Sequence, residues 1–333
     1  MDSHETLIGD PNGKLQWLNL LFTYRCTAEC SHCFTSSSTC KDDPMKLIEV
    51  QEYLEEAKKV GASRLWIFGG EPFFYFDLLL DTIKLAKQSG FHVLITSNAF
   101  WAITEESALR RLSLLKETGL DSIAFSADSF HWEYVPLEYV RNAAKAAEKL
   151  GILDGIWNVA IEEDYIQKLN REIIARMPTY KIDTGTVTFI GTAAEVLAGR
   201  VKKQPWIDCN ECNIGKEPWI DYNECKIGRG FQYLGSVDID PYGYVQRCSG
   251  MSIGNAKERK LSEIIRTYDI EDHPIMKVLN EEGPVGLAKL AMKYGFRPTE
   301  YADGCHLCYE ARKVLLKQYP QYLAPASWYE RAK

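Results

Sequence analysis

Leu21-Phe22-Thr23-Tyr24-Arg25-Cys26-Thr27-Ala28-Glu29-Cys30-Ser31-His32-Cys33 follows directly on an apolar run that begins at Leu15. Such a run reads as a buried strand. The cysteines that close it have the spacing C-x3-C-x2-C. Three thiolates from one short loop can hold three irons of a cubane and leave the fourth without a protein ligand. An open iron can bind a cofactor or substrate, whereas a four-cysteine cluster mainly transfers electrons. Zinc sites favour paired C-x2-C or Cys/His spacing, which this stretch lacks.

Working outward, short apolar runs alternate with longer amphipathic stretches from about 14 to 190. Strands are expected at Leu15–Phe22, Arg64–Phe68, His92–Ser97, Ser122–Ser126, Gly155–Ile161 and Thr186–Ile190. Helical patterns lie between them at roughly 44–60, 76–89, 104–118, 136–150 and 163–176, and Gly61, Gly90, Gly119 and Gly151 each follow a helical run. This alternation implies parallel β/α units with right-handed crossovers. Six units are too few for a closed eight-stranded barrel. The fold expected is therefore α/β: a partial (β/α)6 TIM-like barrel over 14–200, with its site at the C-terminal strand ends. A smaller C-terminal α+β domain is expected over 201–333.

That second part opens on a local duplication. Pro205-Trp206-Ile207-Asp208-Cys209-Asn210-Glu211-Cys212 is followed by Pro218-Trp219-Ile220-Asp221-Tyr222-Asn223-Glu224-Cys225, with Tyr222 where the first copy has a cysteine. Gly235 to Val245 reads as a β-hairpin turning at Pro241-Tyr242-Gly243. A helix near 259–268 and the Cys305–Cys308 pair complete the domain.

Composition sets the class. Of 333 residues, 46% are hydrophobic and 26% charged, ordinary for a globular protein, and the net charge of −7 offers no basic footprint for nucleic acid. The acidic start Met1-Asp2-Ser3-His4-Glu5 is wrong for a signal peptide, and no apolar run is long enough to span a membrane. A cytoplasmic protein with neither nucleic-acid nor membrane partner is expected. In a reducing compartment ten cysteines read as metal ligands or catalysts rather than disulfides. They fall into two groups: Cys26, Cys30 and Cys33, with Cys40 after them, and six beyond residue 208.

The second strand ends in Phe68-Gly69-Gly70-Glu71-Pro72. Paired glycines let backbone approach a ligand, and Glu71 can accept from an ammonium group. With the cysteine triplet before it and His32 just ahead of the last cysteine, the chain resembles the radical S-adenosylmethionine superfamily. The resemblance implies a [4Fe–4S] cluster on Cys26, Cys30 and Cys33, with S-adenosylmethionine chelating the open iron. It further implies that Gly69, Gly70 and Glu71 contact the cofactor's amino group. One-electron cleavage would give a 5′-deoxyadenosyl radical that takes hydrogen from substrate, with an electron donor such as flavodoxin or ferredoxin. Thr96-Ser97-Asn98 ends the third strand, where Ser97 and Asn98 would meet the ribose. Ser126, Asp128 and His131 end the fourth, with Ser126 and Asp128 holding ribose or substrate, although Ser and Asp there equally suit helix capping.

Cys225, Cys248, Cys305 and Cys308 resemble the ligand order of the twitch domain of such enzymes, or of its longer relative SPASM. That implies a second, auxiliary [4Fe–4S] cluster, with Cys209, Cys212 and Cys225 competing as its first ligand and two cysteines spare. Zinc on Cys209, Cys212, Cys305 and Cys308 is the rival. Cys40 is either an ordinary thiol or a hydrogen-atom donor to a substrate radical. The expected activity is modification of a ribosomally made peptide. Only 25 residues precede Cys26, so no separate leader-binding domain is expected there. The alternatives are a small-molecule radical dehydrogenase and a non-catalytic Fe–S or zinc-binding protein.

Overall fold

The computed structural model describes residues 15–161, 164–177, 179–212, 231 and 234–329. The second copy of the duplication, with Cys225, lies outside them.

The first half alternates as the sequence pattern demands: β1 (Trp17–Leu21), α1 (Leu47–Lys58), β2 (Arg64–Phe68), α2 (Phe76–Gln88), β3 (His92–Ser97), α3 (Glu105–Thr118) and β4 (Ser122–Ser126). A single turn α4 (Ser129–Trp132), then α5 (Leu137–Lys149), β5 (Leu153–Ala160), α6 (Asp164–Ala175) and β6 (Ile182–Thr186) complete it. β1 to β6 lie side by side in chain order, all parallel. Alternation within the strands explains the layers. Leu65 and Ile67 of β2, Val93 and Ile95 of β3, and Ile123 and Phe125 of β4 share one core with Leu54, Leu79, Ile83, Leu112 and Leu115 from the helices. Trp66, Thr96 and Ser126, on the opposite face, are only half-buried. α3 begins at Thr104, whose hydroxyl accepts from the Ser107 amide, and stops at Gly119, which has φ 111°.

The sixth strand is displaced from its expected place. It runs over 182–186, not 186–190, and the expected range meets it only at Thr186. The apolar residues that suggested it do another job. Val187 and Phe189 pack with Cys26, Ala28, Cys30, Phe130 and Ile161 in a small core beneath the cysteine loop. Gly191 follows, so close to the Phe34 carbonyl that a Cβ there would sit 2.6 Å from it. An apolar run marks burial, and here burial is against a loop rather than a sheet.

After α7 (Thr192–Val196) comes β7 (Gln204–Pro205), which pairs antiparallel with the late β11 (Glu300–Tyr301). The hairpin forms where expected, from β8 (Ser236–Ile239) and β9 (Tyr244–Cys248), and β10 (Met251–Asn255) adds a third strand. β8 pairs in parallel with β1, Trp17 opposite Ser236 and Leu20 opposite Ile239, so one sheet of nine strands runs from β10 to β6. α8 (Leu261–Arg266) packs Leu261, Ile264 and Ile265 into the first core, while α9 (Pro274–Met292) and α10 (Gly304–Leu315) build a second core with Leu21, Tyr24 and Phe68. α9 kinks at Gly283, φ 70°, and Asn210 fills the kink, its Oδ1 accepting from the Val285 amide at 3.0 Å.

Candidate functional site

The loop after β1 is held by β2. The Gly70 amide donates to the Thr23 carbonyl at 2.7 Å and the Glu71 amide to the Arg25 carbonyl at 2.8 Å. Both glycines are needed for the approach. A Cβ on Gly70 would lie 2.1 Å from the Arg25 carbonyl oxygen, and one on Gly69, which has φ 137°, 2.7 Å from that of Thr23. The loop returns along itself through Cys26 N to the Ser38 carbonyl and Ser38 N to the Tyr24 carbonyl, each 3.1 Å.

Cys26 and Cys30 are buried and Cys33 is partly so. The sulfurs of Cys26 and Cys33 accept hydrogen bonds. The Ala28 amide points at Cys26 Sγ (3.4 Å), the Asn98 side-chain amide also reaches it (3.6 Å), and the Ser37 amide points at Cys33 Sγ (3.4 Å). Burial and the neighbouring carboxylate of Glu71 raise the Cys26 pKa, and the other two thiols add to it. A lone buried thiol would stay protonated here, so amides aimed at sulfur suit a metal-bound thiolate instead.

Glu71, Ser97 and Asn98 converge, though on one another. The Glu71 carboxylate is fully buried and accepts from Ser97 Oγ (2.9 Å), the Asn98 amide (2.8 Å) and the Phe73 amide (3.1 Å). Burial, only partly offset by those donors, raises its pKa to about 7. Ser97 Oγ also accepts from the Ala99 amide and the Trp101 indole. Asn98 Nδ2 donates to Thr27 Oγ1 at 3.0 Å. These three residues tie the ends of β2 and β3 to the cysteine loop. Ser126 is half-buried at the end of β4, in register with Trp157.

Asp128 caps α4, accepting from the amides of Phe130 and His131 at 3.0 Å each, while its second oxygen takes His131 Nδ1 at 2.9 Å. Of its two expected roles, the cap is the one this geometry shows. Burial alone would raise its pKa, but His131 and His32 outweigh that and hold it at about 2. His131 is pushed the other way, staying protonated against its own burial because of Asp128 and Cys30. The ligand atoms of Cys30, His32 and His131 lie within 4.8 Å of one another, and burial lowers the His32 pKa to about 4. Asn170 braces the loop from α6, accepting from the Ser129 amide and donating to the Val159 carbonyl. Its place on an amphipathic helix gave no sign of this.

The later cysteines separate by chemistry. Cys209 is buried and its sulfur lies 3.6–3.8 Å from the carbonyls of Gln204, Pro205 and Tyr301, an all-acceptor setting that suits a protonated thiol donating its one S–H to one of them. Its segment lies against α10 so closely that a Cβ on Gly304 would stand 2.0 Å from the Glu211 carbonyl. Cys212, Cys248 and Cys305 are half-buried, Cys308 is buried, and all share the second core. Cys248 at the end of β9 and Cys305 and Cys308 in the first turns of α10 surround the buried Arg312. Sequence reading passed over this arginine, although its place four and seven residues after two cysteines puts it on their helix face. Cys40 is exposed and stands apart from both groups. No helix among the described residues is long and apolar enough to cross a membrane.

The family model for the Radical SAM superfamily matches residues 20–161. A protein of Bacillus subtilis (strain 168) named for peptide biosynthesis, YydG, is 23% identical over 154 residues, 46% of this chain and 47% of that one. GTP 3′,8-cyclase of Peptoclostridium acidaminophilum is 26% identical over 163 residues, 46% of this chain and 48% of the other. The chain thus spans about half the length of these curated relatives. Native anSMEcpe with bound AdoMet superposes with a TM-score of 0.55 over 92% of this chain and 97% of that one, at 11% identity, a likeness of fold.

Proposed function

We propose, from the match of the Radical SAM superfamily model to residues 20–161, that the chain is a radical S-adenosylmethionine enzyme that modifies a peptide. The observation that carries the proposal is the treatment of the first thiols: buried on one loop, approached by amide donors, and locked from below by Gly69 and Gly70. When bound, a [4Fe–4S] cluster and S-adenosylmethionine supply one-electron cleavage of the sulfonium and a radical that abstracts hydrogen.

The chain's own residues give that chemistry its setting. Cys26, Cys30 and Cys33 would ligate three irons. Gly69 and Gly70 let the β2 turn lie against the backbone of the cysteine loop that would hold the cluster. Glu71 acts as a positioning residue, since its carboxylate is engaged by Ser97, Asn98 and Phe73. His131, bonded to Asp128 through Nδ1, has a ring nitrogen within 4.8 Å of the Cys30 sulfur, where its positive charge would stabilise thiolate. Ser126 is the strand-end hydroxyl left to meet ribose or substrate. Cys248, Cys305 and Cys308 would hold three corners of an auxiliary cluster, and Cys209, whose sulfur faces carbonyls only, is spare.

The peptide substrate is supported by the relative named for peptide biosynthesis. Anaerobic reconstitution followed by S-adenosylmethionine and dithionite should release 5′-deoxyadenosine, and replacing Cys26, Cys30 and Cys33 together with alanine should abolish it. Release that survives the triple replacement refutes the assignment. In deuterated solvent, deuterium appearing in a peptide product supports peptide chemistry. A small-molecule product two mass units lighter than its substrate would point to a dehydrogenase instead.

A further inference from the structure

Arg312 is 1% exposed, among the largest side chains buried completely in this protein. No carboxylate among the described residues pairs with it. One nitrogen, Nη1, donates to the Ser249 carbonyl at 2.7 Å and reaches the Tyr329 hydroxyl at 3.3 Å, and that hydroxyl donates onward to the Gly250 carbonyl at 2.5 Å. The rings of Tyr329 and Tyr309 lie 5.5 and 5.9 Å from the guanidinium carbon. Nε is buried with no partner among the described residues. A guanidinium out of water with neutral partners only is an unfavourable arrangement, because carbonyl dipoles and ring faces do not neutralise a full charge.

What surrounds it is sulfur. Cys308 and Cys305 precede Arg312 by four and seven residues on α10, so all three share one face of the helix. Cys248 is the neighbour of Ser249, whose carbonyl Arg312 holds. A guanidinium keeps its proton even when buried. Two thiols on its own helix face, a third beside the carbonyl it holds, and an orphaned cationic donor fit an anionic metal–thiolate centre.

Resting on the auxiliary-cluster reading above, we propose that Arg312 is the built-in counter-cation of that cluster and raises its reduction potential. A thiolate-held [4Fe–4S] cluster gains one unit of negative charge when it takes up an electron. A fixed positive charge beside it favours the reduced form more than the oxidised one. Arg312 is thus a positioning and tuning residue that touches the cluster's ligands and not the substrate.

The test isolates the auxiliary centre. Full-length protein with Cys26, Cys30 and Cys33 replaced by alanine is reconstituted anaerobically, assayed for iron and sulfide, and titrated redox-potentiometrically by electron paramagnetic resonance. About four irons per chain should remain. Arg312→Gln in that background should lower the midpoint by about 59 mV or more, tenfold in the reduced-to-oxidised ratio, and Arg312→Lys should restore most of it. If Arg312→Gln takes up no iron, uptake by Arg312→Lys supports the charge requirement, and failure of both overturns it. An unchanged midpoint with the cluster intact also overturns it. Retention of zinc, or of no iron, by the triple-alanine protein with Arg312 in place sinks the auxiliary-cluster reading itself.

Discussion

Gly70 shows how little room the site allows. Its amide and that of Glu71 both bond the backbone of the cysteine loop, so the β2 turn cannot back away from an added side chain. In Gly70→Ala the new methyl would stand 2.1 Å from the Arg25 carbonyl oxygen. The clash is backbone against backbone, and relief requires moving the residue next to Cys26. The variant should lose about 3 kcal/mol or more of stability in chemical denaturation. It should also take up less iron on reconstitution. Wild-type stability and iron content would contradict the close approach. Ser97 and Asn98 carry a similar lesson. Their hydrogen bonds run to Glu71, Thr27 and Cys26 and tie the strand end to the cysteine loop.

At the scale of elements, the β8–β9 hairpin is organised by one carboxylate. Asp240 accepts from the amides of Tyr242 and Tyr244, across the Pro241-Tyr242-Gly243 turn, and from the hydroxyl of Tyr24 beside the cysteine loop. Burial outweighs these donors and raises its pKa from 3.8 to about 6. Between those values the folded chain binds more protons than the unfolded one, so this group's contribution to stability falls as pH rises through that window. Asp240→Asn has no such titration. The stability of wild type relative to Asp240→Asn should therefore decline by about 2–3 kcal/mol from pH 4 to pH 7, measured by guanidinium unfolding of the cluster-free proteins. A difference that is constant or grows with pH contradicts the assignment. The elements also show where pattern reading succeeds. α1, α2, α3, α5 and α6 lie where amphipathic periodicity and terminal glycines put them, because each buries one stripe against the sheet. β6 was misplaced because an apolar run reports burial without naming its partner, and Val187 and Phe189 are buried by the cysteine loop.

Across the whole molecule, the hairpin and the barrel are one sheet. β1 carries the cysteine loop and lies between β2 and β8, with Asn19 bonded to Asp238 across the second seam at 2.8 Å. Trp328, near the end of the described chain, donates its indole N–H to Tyr24 at 2.8 Å, and Tyr309 holds the Trp328 carbonyl. A fragment ending at residue 212 would leave β1 as an exposed edge with Leu18 and Leu20 on it and would strip Tyr24 of both partners. Such a fragment should elute as aggregate on size-exclusion chromatography while the full chain does not. A monomeric, thermally cooperative fragment would show that the barrel stands without its C-terminal strands.

The sequence by itself determined the local terms: five helices, the first five strands, the turn at Gly243, and the C-x3-C-x2-C spacing of the thiols. These follow from periodicity, turn chemistry and ligand count, all of which are written within a few tens of residues. Only the tertiary structure decided which thiols face amide donors and which face carbonyls, separating Cys26 and Cys33 from Cys209. It alone joined β8 to β1 and set Arg312 among three cysteines drawn from two distant elements. Those are matters of electrostatic surroundings and long-range pairing, which depend on segments separated by two hundred residues in the chain coming to rest a few ångströms apart.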